Sequence, residues 1–200
     1  GKLDIVEKKV VELIKENPKS FVLYNLFGTI LVDKKNFNQA LFNYKKSLEI
    51  KPDYAEGHNN LGIAFYKLGK FNESIDRYQR AIKIKPNFSK AYNNLGLAYK
   101  ELEKFTESIN SYQKAIKINP EYSEAYNNLG NVYNSNEKID SAILNYKKAI
   151  QLNSNFIEAH SNLGNLLKEI GKVDEAQKYE NKLLSLRPND IEYKINFILS

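Results

Sequence analysis

The chain has 200 residues, a formal charge of +6 and 42% hydrophobic residues, which suffices for one or two folded domains. It contains no Cys, so a disulfide framework, a thiol nucleophile and a Cys-containing zinc site are excluded. No apolar run approaches the ~20 residues that a membrane-spanning helix needs, so no membrane span is predicted.

The first predicted element is a single amphipathic helix within residues 1–20. Its apolar residues follow helical spacing and a proline ends the pattern; they are Leu3, Val6, Val10, Leu13 and Pro18. The same spacing recurs in the second half of every unit that follows. The chain is therefore predicted to begin halfway through a repeat.

A unit of 34 residues then recurs without a gap five times, in residues 21–54, 55–88, 89–122, 123–156 and 157–190. A fixed period of this length is typical of an array in which each unit buries its apolar face against its neighbours. Residues 1–200 are accordingly predicted to form one elongated domain.

Each unit is predicted to contain two amphipathic helices, since apolar residues at helical spacing form two stretches separated by a polar break. Proline ends the second helix in four units, at Pro52, Pro86, Pro120 and Pro188. Glycine lies inside every first helix, at Gly28, Gly62, Gly96, Gly130 and Gly164. Because glycine costs ~1 kcal/mol there relative to alanine, we expect a close helix contact that a side chain would disrupt.

One unit shows the full pattern in Tyr92, Leu95, Gly96, Tyr99, Phe105, Ser108, Tyr112, Ala115 and Pro120. This pattern resembles the tetratricopeptide repeat. The resemblance implies an all-α, right-handed superhelical solenoid of helix–turn–helix repeats. The fifth unit departs from it with Glu180 at an aromatic place and Leu183 at a small one, so it is expected to pack less typically.

The last predicted element is a partial first helix or cap in residues 191–200. Its apolar residues are Ile191, Ile195, Phe197, Ile198 and Leu199. A solenoid end needs a polar outer face, so either more protein follows or this tail docks on a partner. Self-association through the C-terminal tail is one possible form of such docking.

The resemblance also implies that the second, fifth, sixth, ninth, twelfth and thirteenth residues of each unit face a concave groove. Asparagine fills the sixth place in four successive units, at Asn60, Asn94, Asn128 and Asn162, whereas Leu26 occupies it in the first. Asparagine also fills the fifth place at Asn25, Asn59, Asn93 and Asn127, and the ninth place at Asn131 and Asn165. The sequence thus predicts a ladder of amides along the groove.

An asparagine amide carries an acceptor and two donors, which match the donor and acceptor of a peptide bond. The ladder resembles that of O-linked N-acetylglucosamine transferases, in which sixth-place asparagines hold the backbone of substrate proteins. This resemblance implies the same role for the four sixth-place residues. The alternative is solvated polar filler, because the chain has 26 Asn in all.

Other surface functions are less consistent with the sequence. A carboxylate clamp needs Lys at a fifth place, and these places hold Asn or Ser. Basic residues share a place late in each second helix, at Lys46, Arg80, Lys114, Lys148 and Lys182, where they meet the helix dipole. A basic edge that binds RNA or an acidic protein is the alternative; base-specific readout of nucleic acid is not expected.

Nothing in the sequence indicates catalysis. His58 and His160 take the fourth place, where the other units have Tyr24, Tyr92 and Tyr126, so both are interpreted as substitutes for a packing aromatic. No catalytic residue, metal site or cofactor is predicted.

The leading hypothesis is a non-enzymatic scaffold that binds an extended polypeptide or another protein segment in the Asn-lined groove. The alternative is a substrate-recruiting arm of a larger glycosyltransferase or sulfotransferase, with catalysis outside this chain.

Overall fold

The computed structural model describes residues 2–186, and every regular element within them is an α-helix. The helices are α1 (Lys2–Glu16), α2 (Phe21–Asp33), α3 (Phe37–Ile50), α4 (Ala55–Lys67), α5 (Phe71–Ile84), α6 (Ser89–Glu101), α7 (Phe105–Ile118), α8 (Ser123–Ser135), α9 (Ile139–Leu152), α10 (Ile157–Glu169) and α11 (Val173–Leu186). The first helix of each of the five units starts at the first residue of that unit. Pro188 and the tail predicted in residues 191–200 lie outside the described residues.

The chain forms two compact units, residues 1–111 and residues 112–200. In the first unit, α2 pairs with α3 and α4 with α5, and α1, α3 and α5 each pack on the first helix that follows. In the second unit, α8 pairs with α9 and α10 with α11, and α9 packs on α10. First helices of successive repeats also touch, α2 with α4, α4 with α6, and α8 with α10.

The apolar core is distributed along the array. One cluster in the first unit joins Leu31 and Tyr44 of one repeat to Leu61 of the next. A second joins Tyr78 to Leu95 and Ala98. In the second unit, Tyr146 packs with Leu163, Leu166 and Leu167 of the following repeat. Each repeat therefore depends on its neighbour to bury its apolar face, as expected for a repeat array.

The turn between the two helices of a repeat has the same backbone conformation in all five repeats. One residue has a positive φ, namely Lys35 (59°), Gly69 (72°), Glu103 (56°), Glu137 (55°) and Gly171 (78°). The next N–H bonds back to the carbonyl five residues earlier, as in Asn36 to Leu31 at 2.8 Å. This is the Schellman helix ending, which favours glycine, yet three of the five turns use a charged residue instead.

The second helices end in a common way even where proline is absent. Lys51, which precedes Pro52, has φ −132° and ψ 89°, an extended conformation that proline favours in the preceding residue. Asn153, which precedes Ser154, adopts nearly the same values, −137° and 94°. Its side-chain oxygen accepts the N–H of Asn155 at 3.2 Å. An asparagine turn thus replaces the proline in the fourth repeat.

Candidate functional site

The predicted amides bond to one another between successive repeats. Asn94 Nδ2 donates to Asn59 Oδ1 at 2.9 Å, and Asn60 Nδ2 donates to Asn25 Oδ1 at 3.1 Å. In the second unit, Asn162 Nδ2 donates to Asn127 Oδ1 at 3.0 Å. In each pair, the sixth-place amide donates to the fifth-place carbonyl of the preceding repeat. We call these contacts the amide ladder.

The two places of the amide ladder differ in exposure. Asn59, Asn93 and Asn127, at the fifth place, are each 5% exposed. The sixth-place residues Asn60, Asn94, Asn128 and Asn162 are half-buried. The buried fifth-place side chains are therefore less accessible to a ligand than the sixth-place ones, and the carbonyls of Asn59 and Asn127 bond to the next repeat's amide.

Two further asparagines of the predicted site occupy the ninth place, with different surroundings. Asn131 is half-buried, and its Oδ1 accepts from Asn162 Nδ2 at 3.0 Å and from the Tyr146 hydroxyl at 2.8 Å. Both lone pairs of that oxygen are thereby used. Asn165 is exposed. Asn131 therefore fixes Asn162 from a second side, while Asn165 remains open to solvent.

Ile63 and Tyr66 occupy the ninth and twelfth places of the second repeat, which the tetratricopeptide resemblance assigns to the groove. Ile63 and Tyr66 are half-buried and pack against the cluster around Tyr78 and Leu95. The Tyr66 hydroxyl donates to Glu101 Oε1 at 3.0 Å. Burial, followed by the nearby Glu101 carboxylate, raises the pKa of Tyr66 to about 12, so the phenol keeps its proton at neutral pH and remains a donor.

The helix glycines allow a tyrosine of the second helix to lie against the first. A Cβ built on these glycines would lie 2.5–2.6 Å from a ring carbon of the tyrosine. The pairs are Gly28 with Tyr44, Gly62 with Tyr78, and Gly130 with Tyr146. The expected clash is confirmed in these three repeats.

The fifth repeat does not make this contact. Its aromatic place holds Glu180, and a Cβ on Gly164 would find no atom nearer than 3.8 Å. Glu180 is 8% exposed and pairs with Lys168. The expectation that a side chain on Gly164 clashes is therefore wrong, because a carboxylate side chain takes the place of the tyrosine ring.

Both histidines are buried, His58 at 6% and His160 at 5% exposure. Nε2 of His58 lies 2.9 Å from the carbonyl oxygen of Pro52, and Nε2 of His160 lies 3.0 Å from that of Ser154. A carbonyl only accepts, so Nε2 carries a proton in each ring. Neither Nδ1 has a hydrogen-bond partner among the described residues.

Each histidine lines a cavity. His58 lies beside one of about 580 Å³ between α3, α4 and α5, with Lys45, Arg77 and Arg80 on its walls. Burial lowers the pKa of His58, and Arg77 and Arg80 act in the same direction, which favours the neutral ring. A second cavity of about 400 Å³ lies beside His160, with Lys147 and Lys182 on its walls.

The described residues contain no group of three or more His, Asp or Glu side chains placed to hold a metal ion. In the same part of the chain, no helix combines the length and apolarity required to traverse a bilayer.

The supporting role of the fifth-place residues was missed from the sequence. A signal for it exists, since Asn25 and Asn60, Asn59 and Asn94, and Asn127 and Asn162 are each 35 residues apart. A recurrent polar pair at one residue more than the repeat length indicates a contact between successive first helices. The sequence contains a weaker indication of the two cavities, because histidine replaces the tyrosine of the other repeats at the fourth place.

Replacing Asn127 with alanine is expected to lower the free energy of unfolding by about 1–2 kcal/mol. The variant removes an acceptor of Asn162 Nδ2 and leaves a small void between helices. Chemical denaturation would measure the effect. Asn165→Ala is the matched control, because this asparagine is exposed, and a change within about 0.5 kcal/mol is expected. Equal stability of the two variants would contradict a structural role for the amide ladder.

Two family models match the chain. Models of the TPR repeat match residues 28–69, 64–103, 98–136 and 130–171. The tetratricopeptide repeat model matches residues 157–190. Together these matches cover well over half of the sequence.

Solved structures show the same fold. A crystal structure of MamA protein is 31% identical, with a TM-score of 0.69 over 86% of this chain and 94% of that chain. PilW, a widely conserved type IV pilus biogenesis factor, is 20% identical, with a TM-score of 0.87 over 99% of this chain and 91% of that chain. YrrB, a TPR protein with an unusual peptide-binding site, is 19% identical, with a TM-score of 0.65 over 94% and 96%.

These matches confirm the all-α solenoid of helix–turn–helix repeats that the sequence predicts. They agree with the helix pairs described above. The chain belongs to the tetratricopeptide repeat family.

Proposed function

We propose that the chain is a non-enzymatic scaffold that binds an extended polypeptide through its sixth-place amides, Asn60, Asn94, Asn128 and Asn162. The observation that carries the proposal is the direction of the amide ladder. Asn94 and Asn162 use N–H groups to reach the preceding repeat. Their Oδ1 atoms are then the groups suited to accept a backbone N–H from a ligand.

The other asparagines have supporting roles in this proposal. Asn59, Asn93 and Asn127 are buried behind the sixth-place residues. The hydrogen bonds of Asn59 and Asn127 fix the orientation of the next repeat's amide. Asn131, in the same repeat as Asn127, also accepts from the Asn162 amide. Holding the amides in place before binding reduces the entropy cost of fixing them on a ligand.

The spacing of the helices suits an extended chain. Packed helices lie about 8–10 Å apart, and an extended chain advances about 3.3 Å per residue. Each repeat therefore corresponds to roughly three residues of ligand. Asn60 and Asn94 in the first unit are one repeat apart, as are Asn128 and Asn162 in the second, so about four residues of ligand would reach both amides of a unit.

The expected affinity is modest. Four hydrogen bonds at a net ~0.5–1.5 kcal/mol each give roughly 2–6 kcal/mol, whereas micromolar binding needs about 8 kcal/mol. Side-chain contacts must supply the difference, and half-buried Ile63 and Tyr66, at groove places of the same repeat as Asn60, are proposed to contribute them. Such a site would accept many sequences of similar shape, because backbone hydrogen bonds do not select side chains.

The test is a calorimetric titration of an unstructured twelve-residue peptide into the protein and into the double variant Asn94→Ala plus Asn128→Ala. Loss of two hydrogen bonds is expected to weaken binding by roughly 5- to 100-fold. The matched control is Asn72→Ala plus Asn110→Ala, since both asparagines are exposed on second helices. Control affinity equal to wild type is expected.

A modified peptide tests the direction of the contact. Methylation of every backbone nitrogen removes the donors from which the Oδ1 atoms are proposed to accept hydrogen bonds. We expect the methylated peptide to bind the wild-type protein as weakly as the unmodified peptide binds the double variant. Undiminished binding of the methylated peptide, or of the double variant, would contradict the proposal.

A further inference from the structure

The cavities beside His58 and His160 occupy the same position in two different repeats. Their linings correspond residue by residue at a separation of 102 residues, which is three repeats. The shared positions are Lys45 and Lys147, Leu48 and Ile150, Glu49 and Gln151, Pro52 and Ser154, His58 and His160, Arg77 and Tyr179, and Arg80 and Lys182. A pocket that recurs with its lining points to a property of the repeat itself.

Both repeats have histidine at the fourth place. The other three repeats have tyrosine there, whose ring and hydroxyl extend further than an imidazole. Each imidazole is also held by a carbonyl six residues earlier, at 2.9 Å for His58 and 3.0 Å for His160. The shorter side chain, fixed at its far end, leaves space between successive second helices.

Cations dominate the walls of both cavities. Lys45, Arg77 and Arg80 line the first, where Glu49 is the lining carboxylate. That carboxylate is paired with Lys46 at 2.7 Å, and Arg77 is paired with Asp76 at 3.0 Å. Among the described residues, no carboxylate pairs with Lys45 or Arg80. The first cavity therefore keeps an unneutralised positive charge.

The second cavity is more basic. Lys147, Lys178 and Lys182 line it, and no carboxylate is among its lining residues. None of these three lysines pairs with a carboxylate within the described residues. Each cavity also has an apolar wall, formed by Leu48, Leu61 and Phe65 in the first and by Ile150 and Tyr179 in the second.

We propose that these two cavities are equivalent binding sites for a short acidic segment of a partner protein, in which a carboxylate lies next to an apolar side chain. The cations attract the carboxylate and the apolar wall accepts the neighbouring side chain. Volumes of about 580 and 400 Å³ fall in the range of ligand sites and suit a few residues.

These sites are distinct from the proposed groove. The fourth and sixth places of a helix are about 200° apart around its axis, so His58 and Asn60 lie on opposite sides of α4. Binding at the cavities can therefore be measured without the amide ladder. A variant with Asn94→Ala plus Asn128→Ala is expected to keep this binding.

The test uses the two histidines as reporters, since the chain contains only these two. Imidazole carbon–proton NMR signals are followed while the peptide Ac-Glu-Leu-Asp-Phe-amide is added to the full chain. Both signals are expected to shift in a saturable, salt-sensitive manner. The neutral analogue Ac-Gln-Leu-Asn-Phe-amide is expected to leave them in place.

Single variants identify the site. Arg80→Glu is expected to weaken the binding that His58 reports by at least about fivefold. Lys182→Glu is expected to weaken the binding that His160 reports by a similar factor. Lys114→Glu is the matched control, because it has the same place in the third repeat and lines neither cavity. His58→Tyr should fill the first cavity and leave the His160 response intact.

Three results would overturn the proposal. They are signals that stay fixed up to millimolar peptide, equal shifts with the neutral analogue, and unchanged binding in both charge-reversal variants. Shifts produced by a single-stranded RNA oligonucleotide and not by the acidic peptide would likewise refute an acidic protein segment as the occupant.

Discussion

Replacing Gly130 with alanine is expected to lower the free energy of unfolding by about 1–2 kcal/mol. The added Cβ would lie 2.6 Å from Cε1 and 2.7 Å from Cδ1 of Tyr146. The ring is 2% exposed, and its hydroxyl donates to Asn131 at 2.8 Å, so it cannot move without breaking a buried contact. Overpacking costs about 1–3 kcal/mol, and so close an approach to a buried ring is expected at the upper part of that range, about 2–3 kcal/mol. The helix propensity of alanine offsets ~1 kcal/mol of this.

The matched control is Gly164→Ala, at the same place in the next repeat. Its nearest neighbours are 3.8 Å away, so the helix propensity of alanine acts alone and a gain of up to about 1 kcal/mol is expected. Urea denaturation followed by circular dichroism measures both variants. The same sign of change in the two variants would show that the tyrosine contact does not determine the choice of glycine.

Glu180→Tyr should reverse the effect of alanine at position 164. With an aromatic ring restored at the place that Tyr44, Tyr78 and Tyr146 hold in other repeats, Gly164→Ala is expected to become destabilising. The coupling between the two substitutions should be about 2–3 kcal/mol, at the upper end of values for contacting residues. Lys168, which pairs with Glu180, is partly exposed and can return to solvent.

The measurement is a double-mutant cycle of four proteins, comprising the wild type, the two single variants and the double variant. Denaturation midpoints and slopes are compared under the same conditions. Additive effects would mean that the aromatic ring introduced by Glu180→Tyr does not approach residue 164. The fifth repeat would then differ from the others in backbone as well as in side chains.

The fold could be predicted in detail because the same pattern of apolar residues recurs in every repeat. Apolar residues with helical spacing recur every 34 residues, and each repeat must bury them on the next. The same pattern predicted the starts of the first helices and the close contact at Gly62 and Gly130. It failed at Gly164 because the partner residue, Glu180, lies in another helix and breaks the pattern there.

The candidate site was only partly predictable. The sequence identified the recurring amides and placed both the fifth and the sixth places in the groove, since adjacent residues lie only about 100° apart around a helix. The structure distinguishes them, because Asn59 is 5% exposed and accepts the amide of Asn94 from the next helix. The sequence also did not predict the positive φ of Glu103 and Glu137, because residues with side chains seldom adopt that conformation.

The sequence by itself determined the repeat length, the helix pairs and the family, because these follow from the spacing of apolar residues along one chain. Only the tertiary structure decided the direction of the amide ladder, the two cavities beside the histidines and the absence of a clash at Gly164. Each of these depends on which atoms of separate helices come within about 4 Å of each other. Periodicity specifies which face of a helix is buried, whereas the distances between faces are set by the packing of every side chain between them.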